Sequence, residues 1–266
     1  MPQPNQITQN QLLRLIGLPD QPLLLDVRLA EDLASDPRLI PGSRVLPHDR
    51  FDPVPTDLTG RRVVVICAKG RKLSEGVAAL LRAQGIAAEV LEGGSVAWGQ
   101  ARLPMVPIAT LPVSHLWVTR HRPKIDRIAC PWLIRRFIDP GARFLFVAPA
   151  EVPAVAERFN ATPLDIEGVR FSHRGDGCTF DTMLDEWGLQ TEALQRMAVV
   201  IRAADTDRHA LSPQAAGLLA ISVGLSRQYR DDLQQLDAGL SLYDALYRWA
   251  RDGHDEGHDW PAGRGT

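Results

Sequence analysis

Residues 63–74 read Val-Val-Val-Ile-Cys-Ala-Lys-Gly-Arg-Lys-Leu-Ser and decide the fold of the first part of the chain. The apolar run that opens this stretch predicts a buried strand, and the segment from Ser74 to Gln84 carries the apolar spacing of a helix. The stretch thus predicts a strand, a short basic loop that begins with Cys67, and a helix. In this arrangement, backbone N–H groups of the loop and the positive end of the helix dipole point at the Cys67 sulfur. Such surroundings lower the pKa of a thiol and stabilise a bound anion. Cys67 is therefore the candidate nucleophile.

On both sides of this stretch, between about Gln21 and Leu103, short apolar runs alternate with segments of helical spacing. The alternation predicts an α/β domain with a mostly parallel sheet, which we place at residues 1–106. The proline-rich stretch that follows cannot hold a long helix or a central strand, because proline lacks an N–H group and restricts its neighbour. It predicts a linker at residues 107–115.

The remainder of the chain has a different pattern. Residues 116–251 contain mainly segments of helical spacing, with short strand candidates at 143–147 and 163–171, and predict a mainly helical α+β domain. Residues 252–266 are rich in Gly, His and Asp and lack an apolar face, which predicts a disordered tail.

Composition limits the classes of function. The 266 residues are 45% apolar and 23% charged, as in ordinary globular proteins, and the formal net charge of −2 makes nucleic acid an unlikely partner. No apolar run is long enough to cross a bilayer, and no basic segment followed by an apolar one predicts a signal peptide at the N-terminus. The three cysteines, at positions 67, 130 and 178, form no Cys-x-x-Cys pair. They predict a reducing, cytoplasmic setting.

The loop after Cys67 has the groups that sulfur transfer needs. A thiolate can attack the outer sulfur of a small anionic donor such as thiosulfate, hold the sulfur as a persulfide and pass it to cyanide or to another thiol. The backbone from Ala68 to Lys72 is the predicted anion cradle, and Gly70 permits a positive φ there. Cations at the rim come from the side chains of Lys69, Arg71 and Lys72. The transfer itself requires no cofactor.

The N-terminal motifs resemble those of the rhodanese family over about residues 20–105. Four motifs follow one another in the chain: Asp26-Val27-Arg28 after a strand, Ile40-Pro41-Gly42-Ser43, the Cys67-x-x-Gly70 loop, and Leu91-Glu92-Gly93-Gly94 followed by Trp98. The resemblance implies a rhodanese-like α/β fold and a sulfurtransferase that carries a persulfide on Cys67. Where the family usually has arginine, this chain has Lys72, which keeps the charge but loses the planar fork that binds an oxyanion.

Two alternatives concern Cys67. A related phosphatase needs an arginine six residues after the cysteine, where this chain has Leu73. A buried cysteine at the end of a strand needs no chemical role at all. Asp26 and Arg28, beside the site, are interpreted as a structural ion pair.

The C-terminal motifs resemble the C-terminal domain of the chromate-resistance family over about residues 116–251. The motifs are the basic segment from Arg120 to Arg127 with its continuation to Asp139, then residues 173–181, 203–207, 215–218 and 242–247. The resemblance implies a link to chromate resistance or to chromate-responsive regulation, and hence a role in chromate or oxyanion stress. Regulation would need a DNA-binding domain, whereas this chain has a rhodanese-like one. A non-enzymatic oxyanion sensor and a metal-dependent redox enzyme are the alternative functions.

The C-terminal part also offers metal-ligating side chains. The candidate set is His173, Asp181 and Asp205, with Asp126, Cys178, Asp207 and His209 in reserve. One imidazole with carboxylates suits iron, manganese or zinc. The alternative is that Asp205 and Asp207 end a helix and that His173 is hydrogen-bonded in a turn.

Overall fold

The computed structural model describes residues 5–51 and 53–257. The N-terminal half contains the strands β1 (Gln6–Ile7), β2 (Leu23–Asp26), β3 (Arg38–Leu39), β4 (Ser43–Val45), β5 (Arg62–Ile66), β6 (Ala87–Leu91) and β7 (Val106–Pro107). Five of them form a parallel sheet with the order β1-β6-β5-β2-β4, and β3 pairs with β7 in a separate antiparallel sheet. Its helices are α1 (Gln9–Leu13), α2 (Ala30–Ser35), α3 (Lys72–Ala83) and α4 (Gly94–Gln100). This architecture confirms the predicted α/β fold with a mostly parallel sheet.

Strand β5 is central, and its two faces pack against different layers. Val63, Val65 and Cys67 belong to an apolar cluster that includes α3, whereas Val64 and Ile66 belong to a second cluster on the opposite face. A strand that is buried on both faces has no polar alternation. This explains the uninterrupted apolar run before Cys67.

The C-terminal half is helix-rich around a small parallel sheet with the order β10-β8-β9. Its strands are β8 (Leu116–Arg120), β9 (Arg143–Val147) and β10 (Thr162–Pro163). Its helices are α5 (Asp126–Leu133), α6 (Val152–Phe159), α7 (Thr179–Trp187), α8 (Glu192–Asp205), α9 (Ala215–Gln228) and α10 (Asp232–Arg248). Helix α5 continues as a π-helical segment to Ile138, and α10 continues in the same way to Gly253. The predicted α+β class is confirmed.

The strand predicted over residues 163–171 is wrong for most of its length. Only Thr162–Pro163 and a single bridge between Leu164 and Phe171 form ladder contacts. Asp165 and Gly168 have positive φ values of 55° and 79°, so the chain turns where the strand was expected.

The predicted tail, residues 252–266, begins inside the last helical turn. Asp252 is part of that turn, where its carboxylate lies 3.1 Å from Arg248 and 2.8 Å from Arg251. Residues 258–266 of the predicted tail lie outside the described residues.

The largest apolar cluster draws side chains from both halves of the chain. Tyr247 and Phe137 stack edge to face with ring centroids 5.6 Å apart, and the Tyr247 hydroxyl donates to the Ile16 carbonyl at 3.5 Å. A Cβ added to Gly17 would lie 2.4 Å from the Phe137 ring, so the backbone of the N-terminal half closely approaches that side chain. The two halves therefore share one apolar interior near Gly17.

Candidate functional site

Cys67 lies directly after β5, at the carboxyl edge of the parallel sheet, and the loop that follows it leads into α3. Ligands of open α/β sheets bind at this edge because the loops between strands and helices converge there. The cysteine is free, and its side chain faces the first turn of α3. The structure thus places Cys67 where the sequence predicts it.

Hydrogen bonds converge on the Cys67 sulfur. The Arg71 N–H points at Sγ with a nitrogen–sulfur distance of 3.4 Å, and Ser74 Oγ lies 3.1 Å from the same atom. Burial raises the pKa of the Cys67 thiol, but hydrogen bonds from the Ser74 hydroxyl and from backbone N–H groups of Arg71, Ser74 and Lys69 outweigh it and lower the pKa below its ordinary value. The thiolate is the form that these donors stabilise.

The turn between β6 and α4 supports the loop from behind. The Ser95 and Val96 N–H groups donate to the carbonyls of Cys67 and Ala68, both at 3.0 Å. Gly70 and Gly94 have φ values near +62°, and a Cβ added to either residue would lie within 2.4 Å of a backbone oxygen. The loop and this turn therefore touch backbone to backbone, and only glycine fits at these two positions.

A cavity of about 1140 Å³ opens in front of the loop. Among its lining residues are all five predicted cradle residues, Ala68, Lys69, Gly70, Arg71 and Lys72. Three carboxylates that the sequence analysis did not associate with the site also line it: Asp32, Glu75 and Glu92. Because these acids offset the three cations of the rim, stabilisation of an anion depends mainly on the backbone N–H groups and on the α3 dipole.

The Asp26–Arg28 pair is structural, as the sequence analysis expected. The Arg28 guanidinium lies 2.7 Å from Asp26 Oδ2, and the two side chains are only 2% and 1% exposed. Arg28 also donates to the carbonyls of Asp36 and Arg38 at 3.0 and 2.6 Å. The pair joins the end of β2 to the start of β3 and does not line the cavity in front of Cys67.

A second cluster of ionisable side chains lies in the C-terminal half. His173 Nε2 lies 3.2 Å from Asp205 Oδ2, 3.4 Å from Asp165 Oδ1 and 3.5 Å from Asp126 Oδ2. Asp126 begins α5, Asp205 ends α8, and the other two residues lie in loops between β10 and α7. We call these four residues the Asp–His cluster.

Burial and mutual contact perturb the ionisation of the Asp–His cluster. Hydrogen bonds to Asp126 and Asp165 raise the pKa of His173 to about 10. Burial, together with the charges of Asp126 and Asp165, raises the pKa of Asp205 to about 7, and burial also raises the pKa of Asp126. Burial raises the pKa of Asp165 as well, but hydrogen bonds from His173 and Arg120 outweigh it and lower that pKa. The ionisation of each of these four side chains therefore depends on the protonation of the others.

One member of the predicted metal set, Asp181, lies apart from the other two. Asp181 lies outside the Asp–His cluster, because one of its oxygens accepts from the Cys178 N–H at the start of α7 and the other from Arg202 at 2.8 Å. The reserve residue Asp126 takes its place beside His173 and Asp205. Asp165 was missed, since its loop position carries no spacing signal. Asp181 follows Cys178 by three residues, which is the spacing of a capping box at the start of a helix. This spacing could have shown that Asp181 caps α7.

Of the other reserve residues, one contacts the Asp–His cluster and two lie outside it. Cys178 contacts the Asp126 carboxylate, and burial raises the pKa of its thiol far above the ordinary value. Asp207 and His209 pair with each other at 3.6 Å, and neither belongs to the Asp–His cluster.

The basic segment from Arg120 to Arg127 is used largely within the protein. Arg120 and Arg127 lie 2.7 and 3.3 Å from Asp165 Oδ2, and Arg122 donates to the carbonyl of Ser226. The arginines of this segment therefore stabilise contacts within the C-terminal half, including those of Asp165 in the Asp–His cluster.

Comparison with known families agrees with both predicted resemblances. The family model described as "ChrB, C-terminal domain" matches residues 117–250, and the one described as "Rhodanese-like domain" matches residues 8–101. Protein ChrB of Cupriavidus metallidurans is 35% identical over 133 residues, which make up 49% of this chain and 39% of that protein. The match thus spans about two fifths of the length of this relative.

Solved structures are similar to the N-terminal half. A rhodanese-like domain protein from Staphylococcus aureus is 31% identical, with coverage of 36% of this chain and 91% of that chain and a TM-score of 0.32. A thiosulfate sulfurtransferase from Pseudomonas aeruginosa is 25% identical, with coverage of 40% and 20% and a TM-score of 0.33. Within residues 5–51 and 53–257, no helix has the length and apolar character needed to cross a membrane.

Proposed function

The chain belongs to the family of the ChrB C-terminal domain, and because a rhodanese-like domain precedes that domain, we propose that it is a sulfurtransferase that forms a persulfide on Cys67. The observation that carries the proposal is the set of donors around the sulfur, at the base of a cavity large enough for a small anion. The chromate-resistance domain supports a role in chromate or oxyanion stress, with the cytoplasm as its setting.

In the first step, the Cys67 thiolate attacks the outer sulfur of thiosulfate. The new S–S bond forms as the S–S bond of the donor breaks, and the electron pair of that bond leaves with sulfite. In the second step, cyanide or a thiolate attacks the outer sulfur of the persulfide and restores the Cys67 thiolate. Charge is conserved in both steps, and neither needs a cofactor.

The Ser74 hydroxyl stabilises the ionised form of Cys67. Its hydroxyl lies 2.9 Å from the Arg71 carbonyl and 3.1 Å from Cys67 Sγ, and it has one proton to donate. When the sulfur is a thiolate it becomes the stronger acceptor, and the hydroxyl turns to it. The loop N–H groups then stabilise sulfite as it departs.

Mass spectrometry tests the proposal directly. Incubation of the purified protein with thiosulfate is expected to add the mass of one sulfur atom, which peptide mapping places on Cys67. The Cys67→Ser variant should gain nothing while its circular dichroism spectrum stays that of the wild type. Binding of sulfate or chromate by a wild-type protein that forms no adduct would instead support the non-enzymatic sensor.

The pH dependence of alkylation measures the activation of the thiol. Since the pKa of Cys67 is lowered, iodoacetamide should modify it at a pH below the ordinary thiol pKa of about 8.5, because the reactive thiolate forms earlier as pH rises. Ser74→Ala removes one donor to the thiolate and should raise the apparent pKa by about 1, so that alkylation at neutral pH slows up to about tenfold.

Ser95→Ala is the matched control. Ser95 is buried behind the same loop, and its backbone N–H, which alanine keeps, donates to the Cys67 carbonyl. The control should leave the alkylation profile unchanged. Equal profiles for wild type and Ser74→Ala would show that the hydroxyl does not activate the sulfur.

A further inference from the structure

The Asp–His cluster has the side chains of a cation site, and its atoms are spaced accordingly. Ligand atoms held about 2.0–2.2 Å from a tetrahedral metal lie about 3.3–3.6 Å from one another. His173 Nε2 lies 3.2–3.5 Å from one oxygen of each of three carboxylates. The nearest atoms of Asp126, His173 and Asp205 all lie within 4.8 Å of one another. An ion could enter between these atoms with small side-chain movements.

Asp126 provides an independent indication. The residue is only 1% exposed, and its carboxylate faces His173 through Oδ2, which also accepts from the Thr179 N–H at 2.5 Å. Its other oxygen, Oδ1, is enclosed and has no hydrogen-bond partner among the residues that the structure describes. A buried carboxylate oxygen without a donor costs free energy that a bound cation offsets.

The backbone that positions Asp126 is strained. Ile125 has φ 41° and ψ −101°, a conformation that is unfavourable for a β-branched residue. The Ile125 N–H donates to Ser222 Oγ at 3.2 Å, and its carbonyl accepts from the Tyr243 hydroxyl at 3.0 Å. Two other helices, α9 and α10, thus maintain the strained residue and with it the position of the Asp126 carboxylate.

The surroundings of Asp165 and access from solvent also fit a divalent ion. Arg120 and Arg127 lie against Asp165 Oδ2, while Oδ1 accepts from the Thr179 hydroxyl at 2.9 Å and lies 3.4 Å from His173 Nε2. The His173 side chain is 43% exposed, so one side of the Asp–His cluster meets solvent. An ion can enter from this side, and a water can complete its coordination.

From these observations we infer that Asp126, His173 and Asp205 bind one divalent first-row metal ion, with Asp165 as a further oxygen ligand or as the residue that orients His173. The donor set of one nitrogen and several oxygens fits Mn²⁺, Fe²⁺ or Zn²⁺. The site goes beyond sulfur transfer at Cys67, because it lies in the other half of the chain and shares no residue with the cavity in front of Cys67.

Metal titration of the full chain tests this inference. The protein is first stripped with a chelator and dialysed. It is then titrated with Mn²⁺, and binding is measured as the loss of the free-ion signal in electron paramagnetic resonance. In a second titration with Zn²⁺, binding is measured as a rise in the unfolding temperature. One ion per chain is expected to bind. His173→Gln and Asp205→Asn should each weaken binding at least about tenfold, while their circular dichroism spectra remain those of the folded protein.

The chain offers matched controls for these variants. Asp207→Asn and His209→Gln change the same residue types a few positions away, outside the Asp–His cluster, and should bind the ion as the wild type does. Cys67→Ser should also bind it normally, so that failure of the metal site and failure of sulfur transfer are separate results. Wild-type binding no stronger than that of His173→Gln, or an equal loss in the control variants, would overturn the inference and leave the cluster as a network of ion pairs.

Discussion

Gly94→Ala is expected to reduce sulfur transfer from thiosulfate to cyanide at least about 100-fold, because misplacement of a catalytic group by about 1 Å has that effect. A Cβ at this position would lie 2.2 Å from the Cys67 carbonyl, 2.6 Å from the Gly70 nitrogen and 2.7 Å from the Ala68 carbonyl. All three are backbone atoms of the nucleophile loop, so the loop must move to accommodate the methyl group. The positive φ of Gly94 adds strain for any L-residue. We expect a loss of about 3 kcal/mol in the free energy of unfolding as well.

Gly76→Ala is the matched control for this substitution. Gly76 is exposed in α3, and a Cβ there has open space around it. Since alanine favours a helix over glycine by about 0.5–1 kcal/mol, this variant should be slightly more stable and fully active. Thiocyanate formation and chemical denaturation measure both effects. Normal turnover in Gly94→Ala would show that close contact between loop and turn is not needed for catalysis.

Arg28→Ala should destabilise the protein by about 3–5 kcal/mol, the cost of removing one partner of a buried ion pair. The Asp26 carboxylate would remain buried without its guanidinium, and the carbonyls of Asp36 and Arg38 would lose the donor that now joins them. Because the affected residues connect β2 with β3, the sheet that positions the Cys67 loop would lose support at the same time. Urea denaturation, with the transition followed by tryptophan fluorescence, measures the change.

An exposed ion pair on the same sheet supplies the comparison. Arg62 lies 2.7 Å from Glu89, but its side chain is 46% exposed. Arg62→Ala should therefore change the free energy of unfolding by less than about 1 kcal/mol. Similar losses in the two variants would mean that burial does not determine the contribution of the Asp26–Arg28 pair.

The N-terminal site was predictable because its parts are contiguous. The strand, the Cys67 loop and the helix occupy one continuous stretch from Arg62 to Ala83, and local apolar periodicity identifies both flanking elements. The turn between β6 and α4 also has a local signal, since the Gly93-Gly94 pair after an apolar run predicts a turn. The carboxylates of Asp32 and Glu92 could not be placed at the cavity, because that depends on how separate loops meet.

The Asp–His cluster shows the opposite situation. His173 and Asp205 were proposed from residue type alone, and the choice between Asp126 and Asp181 could not be made from spacing, since both lie in the first turn of a helix. The two aspartates differ in their tertiary contacts. Arg202 donates to Asp181, whereas Asp126, at the start of α5, lies beside His173. The strained conformation of Ile125 likewise has no sequence signal, because packing from other helices overrides the local preference.

The packing at Gly17 described above makes each half of the chain depend on the other. A gene fragment that encoded the N-terminal half alone would expose the backbone at Gly17, because the Phe137 and Tyr247 rings that lie against it are supplied later in the chain. A substituted N-terminal domain would need a surface that fits these two rings. A boundary for truncation or domain exchange placed between the halves would therefore cut through a shared apolar interior.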